Sequence, residues 1–103
     1  IYKYPPYYKL IKITLKHRDF NLVNQGSDWL KVSLSNIFGE YVLGPEFSSI
    51  PRLRSLYQKN ILIKVPLDFS LKKTKKAIWR LKKSFEGTKQ YRSIKVVINV
   101  DNY

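Results

Sequence analysis

Apolar and polar positions alternate over residues 9–17: Ile11, Ile13 and Leu15 fall on one side, Leu10, Lys12, Thr14 and Lys16 on the other. A period of two belongs to a strand with one face in a core. The period then changes. Val23, Leu30, Leu34 and Ile37 recur along one stripe of a helix, with Trp29 and Phe38 beside it. Asp19 or Asn21 can cap this helix, and Gly39 stops it just after Phe38. Gly26 inside it is expected to weaken it by about 1 kcal/mol relative to Ala. Trp29 reads as a core or interface residue.

A short apolar run then halts at Gly44-Pro45, because Pro has no N–H to give a ladder. Ser48, Ser49 and Pro51 mark a loop, and Arg52 and Arg54 stand at its exit. Ile61, Ile63 and Val65 alternate with Leu62 and Lys64 in a further strand, which Pro66 ends. Strand, basic loop and strand is the reading of this middle stretch. Asp68 or Ser70 caps a second helix that runs to about Phe85, with Gly87 as its stop. Leu71, Thr74, Ile78, Leu81 and Phe85 form its apolar stripe. A last strand covers residues 91–101, with Ile94, Val96, Ile98 and Val100 on one side. The order βαββαβ predicts an α+β fold of split βαβ type: a four-stranded antiparallel sheet with both helices on one face.

Charge sharpens this picture. The chain of 103 residues carries a net charge of +13, but residues 1–51 hold only +2 of it and residues 52–95 hold +12. On the second helix Lys72, Lys73, Lys75, Lys76, Arg80, Lys82 and Lys83 follow one another with no acidic residue among them. Like charges one turn apart repel by a few tenths of a kcal/mol per pair. An external polyanion, most simply nucleic acid, relieves that repulsion. A basic amphipathic helix also suits an anionic membrane, but here the apolar stripe is needed to cover the sheet. Trp79 sits among these cations, and is expected half-buried at the stripe's edge rather than as an exposed contact.

Catalysis finds no support. There is no Cys and one His, which removes thiolate and His-rich metal sites. The seven carboxylates are scattered, and no GxxxxGK[ST] phosphate loop is present. His17 reads as a strand-end surface residue. No catalytic or metal residue is therefore assigned, and the chain reads as a binding module. It starts at Ile1 without Met or a signal-peptide pattern, as a piece of a longer protein would.

Certain residues also carry a family resemblance. Gly44-Pro45, Ile50-x-Arg52-Leu53-Arg54, Tyr57 and Ile61-Leu62-Ile63-Lys64 resemble the signature of the C-terminal domain of the primosomal replication-restart helicase PriA. Tyr4-Pro5-Pro6-Tyr7 is similar to that family's lead-in from the helicase core, and Val97-Ile98-Asn99-Val100-Asp101 to its terminal strand. Gln58, Asn99 and Asn102 depart from the pattern. The resemblance implies a ferredoxin-like fold, with residues 1–8 as an interdomain linker and 9–103 as a single C-terminal domain of a larger helicase. Tyr2, Tyr4, Tyr7 and Tyr8 are then expected to pack at an interdomain joint rather than to stack bases. ATP, Mg²⁺ and zinc would be held upstream of Ile1, by an ATP-dependent 3'-5' motor, and no cofactor is expected in this chain.

The expected role is an accessory one in primosome assembly: contact with forked or single-stranded DNA through Arg52, Arg54 and Lys59 of the hairpin and Lys73, Lys76, Arg80 and Lys83 of the second helix. The open sheet face, with Lys12, Thr14, Lys16, Gln58, Asn60, Lys95 and Asn99, offers a second surface for a single strand. The resemblance also implies partners. These are the acidic tail of single-stranded-DNA-binding protein, at a pocket with Lys72 and Lys76, other primosome proteins, and the helicase core of the same chain. No membrane partner is expected, and the place would be the bacterial cytoplasm, at the nucleoid. A free-standing ribosomal-type RNA-binding protein is the remaining alternative, opposed by the Gly-Pro and Tyr-Pro-Pro patterns.

Overall fold

The computed structural model describes residues 8–53, 56–66 and 69–101, and within these the side chains other than those of Tyr8, residues 48–53 and Asp101. The expectations for Tyr2, Tyr4, Tyr7, Arg54, Asp68 and Asn102 lie outside the described residues. The elements run β1 (Tyr8–His17), α1 (Phe20–Phe38), β2 (Val42–Leu53), β3 (Leu56–Pro66), α2 (Leu71–Gly87) and β4 (Lys95–Asp101). The strands form one sheet in the order β2-β3-β1-β4, with every neighbouring pair antiparallel. This is the ferredoxin-like α+β arrangement.

β1 lies at the centre because its two faces differ so sharply. Ile11, Ile13 and Leu15 are buried together with Ile61, Ile63 and Val65 of β3 and Val96 of β4. In register Ile11 faces Ile63 and Val100, and Ile13 faces Ile61 and Ile98. Leu30, Leu34 and Phe38 of α1 and Ile78 and Phe85 of α2 close the core from the same side.

Asp19 caps α1, its carboxylate accepting from the N–H groups of Asn21 and Leu22. Ser70 caps α2 by accepting from the N–H of Lys73 at 3.3 Å. Each cap fills orphan donors of a first turn.

Five details depart from the sequence reading. First, β2 does not halt at Gly44-Pro45. It passes through a cis peptide bond there, with register breaks between Leu43 and Glu46 and between Phe47 and Arg52. Gly44 has φ +98°, and a Cβ would meet the Asn60 carbonyl oxygen at 2.9 Å. Only glycine lets the strand bend there and stay paired. Lys31 fixes the bend, its Nζ donating to the Gly44 carbonyl at 2.6 Å.

Second, Gly26 is a packing position. A Cβ would meet Ile94 Cδ1 at 2.7 Å and Phe85 Cζ at 3.0 Å. Third, the buried stripe of α1 is Val23, Gly26, Ser27, Leu30, Leu34 and Phe38, and Ile37 is 51% exposed. Ser27 tolerates burial because its hydroxyl donates to the Asn24 carbonyl at 3.0 Å. Fourth, Tyr91 does not begin β4. It closes a short 3₁₀ turn, Lys89–Tyr91, and its ring turns inward against Phe85. Fifth, Gly87 is the last residue of α2, not its stop: Thr88 caps the helix, its N–H donating to Ser84 and Phe85 carbonyls.

Candidate nucleic-acid interface

The cations of α2 stand on the helix surface away from the sheet. Thr74, Ile78 and Phe85 are buried, which fixes the rotation of the helix. That rotation leaves Lys72, Lys73, Lys75, Lys76, Arg80 and Lys83 exposed. One carboxylate does answer them. Glu86, just beyond the run, pairs with Lys82 at 3.3 Å, and no other salt bridge forms among the described residues.

Trp79 is 52% exposed, more than expected. Its ring carries Lys82 Nζ at 4.9 Å and Lys83 Nζ at 5.7 Å from the centroid. Spacings of i+3 and i+4 bring both lysines over the indole. A Trp followed by lysines at those intervals was the available signal.

The β2–β3 hairpin carries the other expected cations in sequence, and of these only the Lys59 side chain is described. Arg52 stands opposite Tyr57 and Leu53 opposite Leu56, with Arg54 and Ser55 between the strands in sequence. Lys59 is half-buried, its Nζ 4.7 Å from the centre of the Phe47 ring. β2 and β4 occupy opposite edges of the sheet. α2 reaches the β4 side, where Trp79 and Lys75 border Ile98 and Val100. Of the expected contact residues, Lys59 on β3 and Lys73, Lys76, Arg80 and Lys83 on α2 belong to different parts of the surface, while the side chain of Arg52 and all of Arg54 lie outside the described residues.

The open sheet face lies on the side opposite the two helices. The register sets out its rows: Asn99, Lys12, Leu62 and Leu43 in one, Val97, Thr14, Asn60 and Glu46 in the next, Lys95, Lys16 and Gln58 in a third. Two members are partly consumed by the fold. Thr14 is buried and donates to Asn60 Oδ1 at 2.9 Å. A shallow concavity of about 350 Å³ opens beside Lys12, Leu62 and Phe47.

A groove of about 260 Å³ runs between α2 and β4, floored by Ile11, Ile78, Ile98 and Val100 and rimmed by Lys75 and Trp79. Lys72 and Lys76 lie on the same stripe of α2 as Lys75 and Trp79 but do not line the groove.

His17 is tied into the fold. Its Nδ1 accepts from the Asp19 N–H at 2.9 Å, and its Nε2 meets Ser93 Oγ at 3.0 Å. An accepting Nδ1 places the neutral ring's proton on Nε2. Among the described residues no three His, Cys, Asp or Glu side chains gather to hold a metal ion, and no helix is long and apolar enough to cross a membrane.

A family model for the primosomal protein N C-terminal domain matches residues 1–103. The chain belongs to that family. It is thus a domain of a primosomal, DNA-replication protein. No curated protein sequence matches the chain. Among solved structures, the de novo designed protein Foldit4 is similar at a TM-score of 0.68, covering 93% of this chain and 98% of its own, with 8% identity. That likeness is one of fold alone.

Proposed function

We propose that this primosomal domain is a DNA-binding accessory module of a replication-restart helicase. It contacts forked or single-stranded DNA through Arg52, Arg54 and Lys59 of the hairpin and Lys73, Lys76, Arg80 and Lys83 along α2. One observation carries the reading: α2 presents six exposed cations outside its single ion pair. Each lysine or arginine that meets a phosphate releases a counterion, giving strong, sequence-independent and salt-dependent affinity. Cations on different parts of the surface suit a branched substrate, with one arm at each part. Residues 1–8 would then be the linker from the motor, which supplies ATP hydrolysis, Mg²⁺ and zinc chemistry, and the setting would be the bacterial cytoplasm.

Fluorescence anisotropy with forked, duplex and single-stranded DNA at low salt tests this. Forked DNA is expected to bind most tightly. No binding to any of the three would sink the proposal.

A second reading concerns partners. The groove beneath Trp79 is apolar inside and cationic at its rim, which suits an acidic peptide with an apolar end, such as the tail of single-stranded-DNA-binding protein. Adding such a peptide should shift the Trp79 emission to the blue, and Lys75→Glu or Lys72→Glu should abolish the shift while most DNA affinity remains. An unchanged emission would remove this role and leave docking on the helicase core as the protein-binding alternative.

A further inference from the structure

Two lysines face each other across the β1–β4 ladder. Lys16 stands directly opposite Lys95, and Gln58 of β3 stands opposite Lys16 on its other side. Their chain neighbours Leu15 and Val96 are buried on the helix side, so Lys16 and Lys95 fall on the open sheet face. Like charges directly opposite in adjacent strands destabilise a sheet. No carboxylate among the described residues pairs with either lysine.

More positive charge gathers where this row meets the strand ends. His17 Nε2 and Ser93 Oγ meet at 3.0 Å. That contact draws together the chain positions beside it, Arg18 and Arg92, and both are exposed. The acids of the neighbouring elements are engaged or distant. Asp19 has its carboxylate occupied by the N–H groups of Asn21 and Leu22. Asp28 lines the hollow at Gln90 and Tyr91. Glu46 lies on β2, with β3 between it and β1, and Asp101 pairs with Leu10 at the far end of the ladder from Lys95. The row and the one beside it, with Val97, Thr14, Asn60 and Glu46, carry no aromatic ring. Such a surface offers bases nothing to stack on and offers an anion ammonium, guanidinium and amide donors.

We propose that Lys16 and Lys95, with Gln58 beside them and Arg18 and Arg92 at the strand ends, form a phosphate-binding site for the backbone of a nucleic-acid strand. The inference rests on the DNA-binding reading and adds to it a contact on the other layer of the fold, with the sheet between it and α2. A bound phosphate relieves the repulsion between the two lysines. The site reads charge alone, so it is indifferent to base identity and to the presence of a base.

The test uses oligothymidylate and an abasic strand of equal length. In a titration of the isotope-labelled wild-type chain, the amide signals of Lys16, Gln58 and Lys95 should shift with both strands, at similar affinity. The double variant Lys16→Gln/Lys95→Gln should then show a shallower dependence of log affinity on log salt, by about 1.4, at about 0.7 for each contact with a single strand. Its urea midpoint should stay level or rise, because the repulsion is gone. Lys16→Arg/Lys95→Arg keeps the charge and should bind as the wild type does. A wild-type slope in the Gln variant, or signal shifts confined to α2, overturns the site while the cationic reading of α2 stands. An abasic strand that binds far more weakly overturns it as well, since the contact would then be to bases. If neither strand binds the wild type at low salt, the DNA-binding reading fails and the site with it. Should the Gln variant fail to fold, the titration of the wild-type chain decides alone.

Discussion

Among the described residues two clusters of three aromatic rings stand out, and they differ in burial. Trp29, Phe85 and Tyr91 tie α1 to α2 and to the turn before β4. Phe85 and Tyr91 stack at 5.1 Å, and Trp29 tilts against them at 5.7 and 6.3 Å. Phe85 is 0% exposed. The hollow beside this cluster is lined by Gln25, Asp28, Val32 and Gln90, and Gln90 Nε2 donates to Gln25 Oε1 at 3.0 Å across it. Phe20 lies as close to Phe47 and Tyr57, at 5.4 and 5.3 Å, yet this cluster stays partly open to water beside Lys59. One helix supplies a ring to each cluster. Phe20 and Trp29 lie about half a turn apart around α1, so one ring turns inward and the other stays partly open to water. Ring count and ring geometry do not separate the two clusters; burial does.

Substitutions can break this contrast from either side. Phe85→Ala should have the largest effect. It empties a fully enclosed ring site and should cost about 3–5 kcal/mol, read as a lower urea midpoint. Gly26→Ala comes next. Helix propensity favours Ala by about 1 kcal/mol, but the new methyl would press on buried Ile94 and Phe85. Overpacking of this kind costs about 1–3 kcal/mol, so the net expectation is a loss of roughly 1 kcal/mol. A gain on urea titration would mean that Ile94 and Phe85 yield easily and that the buried cluster is looser than described. Lys31→Met removes the charged donor to Gly44 from a half-buried position and should cost about 1 kcal/mol, with the amide signals around Phe47 shifting as the bend in β2 loosens. Phe20→Leu should change stability least, within about 0.5 kcal/mol, as surface substitutions do. A large loss from Phe20→Leu would place the outer cluster in the structural class and erase the contrast.

The sequence made most of the fold legible because most of its signals are local. Alternation located β1 and β3, the apolar stripes located α1 and α2, and Asp19 and Ser70 were readable as caps. What was hidden depends on distant partners. Gly26 resembles a helix defect until Phe85 and Ile94 are placed against it. Gly44-Pro45 reads as a strand end until β3 is paired beside it, with the Asn60 carbonyl where a Cβ would stand. The burial of Ser27 depends on its bond to Asn24, which the apolar pattern does not show, and Ile37, counted in the stripe, is 51% exposed. The cations of α2 were plain in sequence and proved exposed. Phe20 and Phe47 went unnoticed as neighbours because one begins a helix and the other lies in a strand 27 positions later; only the sheet brings them together.

The proposed cationic surface on α2 is most directly tested by the salt dependence of DNA binding. The logarithm of the affinity for duplex DNA should be measured against the logarithm of salt concentration for the wild-type chain and for a variant with Lys73, Lys76, Arg80 and Lys83 changed to Gln. Each phosphate contact contributes a slope of about −0.9. The wild type should show a steep slope, and the variant one shallower by about 3.6, with the urea midpoint of the fold little changed. An unchanged slope in the variant, or a wild-type affinity that does not respond to salt, would contradict the account.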